Sequence, residues 1–433
     1  ATDEIFPNPE RGFHRNVNLV ESTNYVSVAD DGYTLARSYV RLDDSYQDKL
    51  VVRAGKLEKF WAALSKVTTP RAAATIVAVA ALLFVVGGWK ATQIKIGDLH
   101  QGVPELRPSS RYNLDSKAIT EHFSIGVDIL NVIVETVPDG CIEYDIMENI
   151  DRFAWQLSNT AGVQSVVALP GIAKVINAGW SEGALKWRVL PRNRQVLVEA
   201  VQYIPTSSGL LNADCSTMPV MIFTKDHKAE TIAHVVDTIK AYRKENGTDR
   251  VRYRLATGNV GVMAATNEEV ASAQFPILIY VFAAIIILCQ LTFRSIKATL
   301  AITLPLGLVS LLAYALMTQL EIGLKVSTLP VVALGVGIGV DYGIYIYSRF
   351  QSHLDEGMTI YQAYHDTLRV TGNCVLVTGI TLAIVTTTWI FSPLQFQADM
   401  GILLTFMFLL NMLGALLLLP ALASWLLRIS RRS

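Results

Sequence analysis

The sequence predicts an α-helical six-span membrane bundle carrying an extracytoplasmic α+β domain, and three observations point there. Hydrophobic residues make up 51% of the chain against 17% charged, and the mean hydropathy is +0.36. The stretches 72–89, 275–293, 298–318, 327–348, 374–392 and 402–427 each approach the roughly 20 apolar residues that cross a hydrocarbon core. Between the first two lies a long, more polar segment in which strand-like and helix-like pieces alternate. This composition sets aside an ordinary soluble domain, and zero net charge argues against a nucleic-acid partner.

In chain order, residues 1–50 form an atypical polar N-terminal segment that matches nothing else in the chain. Residues 51–71 are basic, with Arg53, Lys56, Lys59, Lys66 and Arg71 leading into the first span at 72–91. Arg294 and Lys297 separate the second and third spans, Arg349 and Arg369 the fourth and fifth, and Arg428, Arg431 and Arg432 mark a basic tail at 428–433. The opposite short loops, 319–326 and 393–401, carry Lys325 as their single basic residue. The positive-inside rule then places both termini in the cytoplasm and the large loop outside.

That loop, 92–270, contains VDILNVIVETV (127–137), a helical YDIMENIDRFAWQLSNT (144–160) and VQSVVAL (163–169). It continues with VMIFT (220–224), a helical AETIAHVVDTIKAYRKEN (229–246) and VRYRLAT (251–257). Two successive βαβ units predict a split-βαβ, ferredoxin-like domain. Residues 170–217, rich in Gly, Pro and Asn, read as an inserted set of helices and loops, either a substrate or partner surface or a cover for one sheet face. A bundle of five further spans follows at 271–427.

Cys289 and Cys374 fall in apolar spans and read as small core residues. Cys141 and Cys215 fall in the outward segment, where an oxidising compartment allows a disulfide, two buried thiols being the alternative. No Cys/His cluster has metal-ligand spacing and no GxxxxGKS/T loop occurs, so neither a metal nor a nucleotide cofactor is expected.

The residue that asks for a function is Asp341, alone in the apolar run ALGVGIGVDYGIYIYSRF (333–350). An ionised Asp at the centre of a spanning helix costs roughly 2.5–3.5 kcal/mol on insertion scales, so such acids face a protein interior or a water path. At about 100° per residue, Asp341 shares a face with Leu334, Gly337, Tyr345 and Ser348. Gly335, Gly339 and Gly343 recur every fourth position near the other side, a small-residue seam for close helix packing. Gly337, one turn before Asp341, leaves space beside the carboxylate. A fixed, hydrogen-bonded structural acid and a carboxylate that gains and loses a proton both fit this pattern.

GVGIGVDYGIYIYSRF resembles the GxGxDY helix of the resistance-nodulation-division superfamily, most closely its MMPL-type and hydrophobe/amphiphile exporters, with Patched-like proteins more distant. The resemblance runs from about Leu57 to Leu427 and covers the single span, the large outer loop and the five spans after it, the order of one half of such a transporter. It implies an exporter of hydrophobic or amphiphilic molecules, driven by protons, in a bacterial inner membrane. It also implies Asp341 as proton acceptor and Tyr342 as its hydrogen-bonding neighbour. Thr378 and Thr381 on the fifth span and Asn411 on the sixth are candidate relay partners, each also able to bond its own helix backbone.

Two departures accompany the resemblance. Family members carry two six-span halves, whereas this chain resembles one, the C-terminal half, so a second half or another copy is an expected partner beside membrane lipid, substrate and protons. Residues 1–50 lie outside it: NPERGF followed by ARSYVRLDD resembles the opening of glycoside-hydrolase-like proteins. Fifty residues cannot form a barrel of about 250, so a fused or misjoined segment without enzymatic activity is expected there, an ordered cytoplasmic appendage being the alternative. The competing functional class is a non-transporting lipid or sterol sensor or scaffold in which Asp341 is structurally locked.

Overall fold

The computed structural model describes residues 19–29, 32–41 and 58–432. Strands β1 (Leu19–Ala29) and β2 (Gly32–Arg41) pair antiparallel as a hairpin. NPERGF (8–13), Arg53 and Lys56 lie outside the described residues.

Six helices are long and apolar enough to cross a membrane: Pro70–Ala91, Asn259–Phe293, Ile296–Gln319, Leu329–Asp355, Ile360–Phe391 and Gln395–Arg428, one for each expected stretch. The second, fifth and sixth begin earlier than hydropathy suggests, because a helix continues past the apolar residues that hydropathy detects. Asn259–Phe293 has 35 residues, about 52 Å at the helical rise, against a hydrocarbon core of about 30 Å. Its polar first turns, with Asn267, Glu268 and Glu269, therefore project beyond the core, and the Lys240–Glu268 ion pair at 2.5 Å holds them to the outer domain. The boundary expected at 270/271 falls inside a continuous helix. The fifth and sixth helices each contain a π-helical turn, at Leu368–Gly372 and Gly414–Leu418.

The third and sixth spans are the most buried and form the centre of the bundle, with Ile302, Leu306 and Val309 packed against Met407, Leu416 and Leu419 in one apolar core. The first span lies against the third, where Gly87 admits the Leu312 side chain. The fourth packs on the third and sixth, and the fifth on the sixth.

The outer domain is built on a four-stranded antiparallel sheet in the order β4-β5-β3-β6, from β3 (Ile129–Thr136), β4 (Val163–Val167), β5 (Thr217–Thr224) and β6 (Val251–Thr257). Helix Tyr144–Ser158 connects β3 to β4 and helix Ala229–Asn246 connects β5 to β6. Alternation along β3 buries Leu130, Val132 and Val134 completely, against Met147, Ile150 and Phe153 of the first helix and Val235 and Ile239 of the second. Phe153, Tyr242 and Tyr253 close one end of this core, with ring centroids 4.6–5.5 Å apart. Residues 170–217 supply short helices, Leu169–Gly179 and Arg194–Val201, whose Ala173, Leu197 and Ala200 are buried in the same core. Cys141 and Cys215 are joined by a disulfide with Cα atoms 5.4 Å apart.

Contacts fix which bundle end carries this domain. Ile96 bridges to Leu324, and Leu106 to Leu394, so the loops after the third and fifth spans lie on the domain side. At the far end Arg428 donates to the Thr68 carbonyl at 2.7 Å and Arg369 pairs with Glu58 at 3.2 Å.

Candidate functional site

The fourth span starts at Leu329 with Pro330 in its first turn, where a missing N–H leaves nothing unpaired. Buried Thr328 ties the entry loop by accepting from the Lys325 N–H at 2.9 Å and donating to the Gly323 carbonyl at 3.1 Å. From there the helix divides into a packed face and an open one.

The packed face is the glycine seam. A Cβ at residue 335 would lie 2.4 Å from Met407 Cε, one at 339 only 2.5 Å from Asn411 Cγ, and one at 343 would be 3.0 Å from Ile302 Cγ2. Asn411 sits in the seam itself and donates from Nδ2 to the Gly335 carbonyl at 2.8 Å, while its Oδ1 is buried without a partner.

The open face carries the acid. Leu334 is 50% exposed and Tyr345 59%, and Gly337, Asp341 and Ser348 are exposed on the same stripe. Nothing lies within 4 Å of a Cβ built on Gly337, so this glycine, although expected to serve helix packing as well, meets no other span of this chain. Asp341 is thus covered by none of this chain's other spans. Among the described residues the ion pair of this helix joins His353 to Glu356, at 3.2 Å, and leaves Asp341 out.

Tyr342 points elsewhere. Its ring is buried, 3% exposed, with no partner for its hydroxyl, and it forms the inner end of a groove of about 470 Å³ between the fourth and fifth spans. Tyr345, Ser348, Arg349 and Ser352 line one wall and Thr371, Cys374 and Thr378 the other. The groove runs from the middle of the fourth span toward the end opposite the outer domain. Thr378 and Thr381 are both exposed, and Thr378 alone of the two lines the groove.

Of the sequence-predicted residues, the structure therefore brings Tyr342 and Thr378 to one groove, with Asp341 on the neighbouring open stripe. Asn411 lies on the glycine side, away from the acid. Cys374, expected in the core, is exposed, and Cys289 is buried.

Spacing missed a second group of polar residues. Thr386, Thr387 and Thr405 join the fifth and sixth spans, with the Thr405 hydroxyl 2.8 and 3.3 Å from the other two. At the domain end Asp399 is buried, 6% exposed, and accepts from Gln395 Nε2 at 2.7 Å. It stands in the first turns of a helix that hydropathy starts later, so in sequence it resembles an ordinary loop acid. His227 is buried beside Asp128, with Nδ1 3.0 Å from the carboxylate and no partner at Nε2. Burial pulls its imidazole down, but the hydrogen bond and charge of Asp128 outweigh that and leave it above the ordinary histidine value. Among the described residues no group of His, Cys, Asp and Glu is arranged to hold a metal.

Comparison with known proteins gives this arrangement a family. The model of the MMPL family matches residues 116–432. A probable transport protein, MmpL9 of Mycobacterium tuberculosis, is 27% identical over 229 residues, 50% of this chain and 23% of that protein. The membrane protein MJ1562 of Methanocaldococcus jannaschii is 23% identical over 239 residues, 54% of this chain and 61% of the other. SCO6666, a membrane protein of Streptomyces coelicolor, is 34% identical over 89 residues, 21% of this chain and 13% of the relative. The matched part thus spans less than two thirds of each relative's own length. With a family match over most of its length and six helices long and apolar enough to cross a membrane around a glycine-rich acidic helix, this chain belongs to the MMPL family.

Proposed function

We propose that this chain is one half of a proton-driven exporter of hydrophobic or amphiphilic molecules, completed by a second six-span half or another copy. The observation that carries this is the open stripe of the fourth span: Asp341 is exposed on an otherwise apolar membrane helix. Facing lipid, the ionised acid would cost roughly 2.5–3.5 kcal/mol. Facing a second half, it becomes an interior carboxylate able to exchange a proton, worth roughly 2.3 kcal/mol per charge per 100 mV of membrane potential. Asp341 is the proton carrier in this scheme and Tyr342 its neighbour. The groove from Tyr342 to Ser352 supplies the proton's exit, with Thr378 on its wall.

The outer domain acts as a ferredoxin-like porter domain, which the β4-β5-β3-β6 order and the two connecting helices support. It faces outward from a bacterial inner membrane, and the termini face the cytoplasm. Lys59, Lys66, Arg71, Arg369 and Arg428 all belong to the end away from this domain, which supports that orientation. The Cys141–Cys215 bridge also fits an oxidising compartment.

The test is proton flux in liposomes that contain the assembled transporter, with and without an amphiphilic substrate. An exporter moves protons in proportion to substrate; a lipid sensor or scaffold binds the same molecules with no flux.

A further inference from the structure

The fourth and fifth spans flank the open groove, and one short segment holds both of their ends on the outer-domain side. This is the linker 95–107, between the first span and the outer domain. Its first end is bound to the entry of the fourth span. Gly97 N–H donates to the Leu324 carbonyl at 2.8 Å and Leu324 N–H to the Lys95 carbonyl at 2.9 Å. The two backbones touch so closely that a Cβ on Gly323 would lie 1.8 Å from the Gly97 oxygen. Lys325 Nζ then meets Asp98 Oδ1 at 3.0 Å, with side chains only 17% and 14% exposed. A pair this sheltered is screened far less than a surface one, and losing one partner leaves a poorly solvated charge.

Its second end is bound to the turn between the fifth and sixth spans. Arg107 donates from Nε and Nη2 to the Ser392 carbonyl at 2.9 and 2.7 Å and from Nη2 to the Ile390 carbonyl at 2.7 Å. Gln395 N–H donates to the Glu105 carbonyl at 2.9 Å. Between these anchors the linker is fastened to the outer domain. The Asp98 carbonyl accepts from Ala229 N–H at 2.8 Å, the first residue of helix Ala229–Asn246.

We propose that the linker 95–107 is the strap through which a change in separation of the fourth and fifth spans moves the outer domain, with Lys325, Asp98 and Arg107 as its positioning residues. The proposal rests on the reading of Asp341 as the driver. Separating two helices whose ends share one strap, or rotating one of them, pulls on the strap between its anchors. The pull falls on Asp98, the residue that also holds the first turn of the outer-domain helix, and on Val103 and Arg107, whose backbone N–H and carbonyl are bonded to Asn113 of helix Arg111–His122 at 2.7 and 3.0 Å. The charged and titratable groups around the Lys325 end are Asp98, His100 and Glu105 of the strap, Glu321 before the fourth span, Asp399 of the sixth, and Asp128 and His227 of the outer domain.

The test measures the distance between spin labels at Asp249→Cys in the outer domain and Leu320→Cys at the bundle, in a Cys374→Ser background. The assembled transporter is reconstituted in liposomes at mildly acidic and mildly alkaline pH. The expected result is a pH-dependent shift in the distance distribution that is lost in Lys325→Met and restored by the exchanged pair Lys325→Asp with Asp98→Lys. A Gly-Gly insertion after exposed Gln101 leaves every anchor in place but slackens the strap, and it also removes the shift. A full shift in the slackened protein overturns the proposal, even if Lys325→Met fails to insert. Asp341→Asn in the same labelled protein separates the two ideas. If it keeps the shift, Asp341 is not the driver, while the slackened protein still decides the strap. A parent protein with no shift overturns both.

Discussion

Asp341 and Tyr342 are neighbours in sequence that face different surroundings: the carboxylate stands on the exposed stripe of the fourth span, and the phenol is buried at the inner end of the groove with its hydroxyl unpartnered. One helix residue separates an open surface from a cavity already formed. The difference sets what each substitution should do.

Asp341→Asn should leave the stability of this chain within about 0.5 kcal/mol of the parent, as for other exposed sites without a partner. Thermal unfolding in detergent measures it. A large loss would mean that the acid is a structural ion-pair partner, since removing one member of a buried pair costs about 3–5 kcal/mol.

The glycines predict opposite signs. Gly339→Ala drives a methyl into Asn411 and should cost about 1–3 kcal/mol by overpacking. Gly337→Ala meets nothing in this chain and should gain up to about 1 kcal/mol from helix propensity. If a second half packs on the open stripe, Gly337→Ala should at the same time weaken assembly, which a mass measurement of the purified complex would register.

Six spans, four sheet strands and the glycine seam were legible because each rests on local periodicity: apolar length for a span, alternation for a strand, every-fourth spacing for a seam. The neighbours of Asp341 were not. Helical phase says which residues share a face but not what lies opposite, so Asn411, a plausible polar partner by depth, turns out to hold the Gly335 carbonyl. Asp399 and His227 were hidden for a related reason. Their burial comes from segments distant in the chain, Asp128 being 99 residues from His227, and no local pattern records that.

The disulfide joins residues 74 apart in sequence, and loops of that size bring about 2–5 kcal/mol by the chain-entropy account. Replacing both Cys141 and Cys215 by Ser should lower the denaturation midpoint of the outer domain and leave the helical bundle unchanged. Non-reducing peptide mapping should recover the two cysteines as one linked pair.

His227 gives a pH dependence of definite sign. Its folded-state pKa is raised, chiefly because Asp128 offsets the burial that lowers it. Its stabilising contribution is therefore complete below the unfolded histidine value of about 6.5 and is lost as pH rises through the raised folded value. The parent should exceed His227→Gln in melting temperature most in acid, with the gap narrowing in alkali. A gap that widens with pH would show that the imidazole is held neutral.

Side-selective labelling tests the orientation. Cysteines placed at Asn193 and Asp249 should react with an impermeant reagent from outside the cell, and one at Arg369 only after the membrane is opened. Reaction of Asn193 and Arg369 from the same side would contradict the bundle's alternation.

The most direct measurement is proton uptake and substrate movement recorded together in liposomes containing the assembled transporter, with Asp341 or with Asn in its place at equal incorporation. A proton carrier at Asp341 predicts that both signals fall to background in Asp341→Asn, and that Tyr342→Phe, which removes a hydroxyl and no charge, reduces them less. Transport by Asp341→Asn at the parent rate would contradict it and leave the exposed acid without a part in proton coupling.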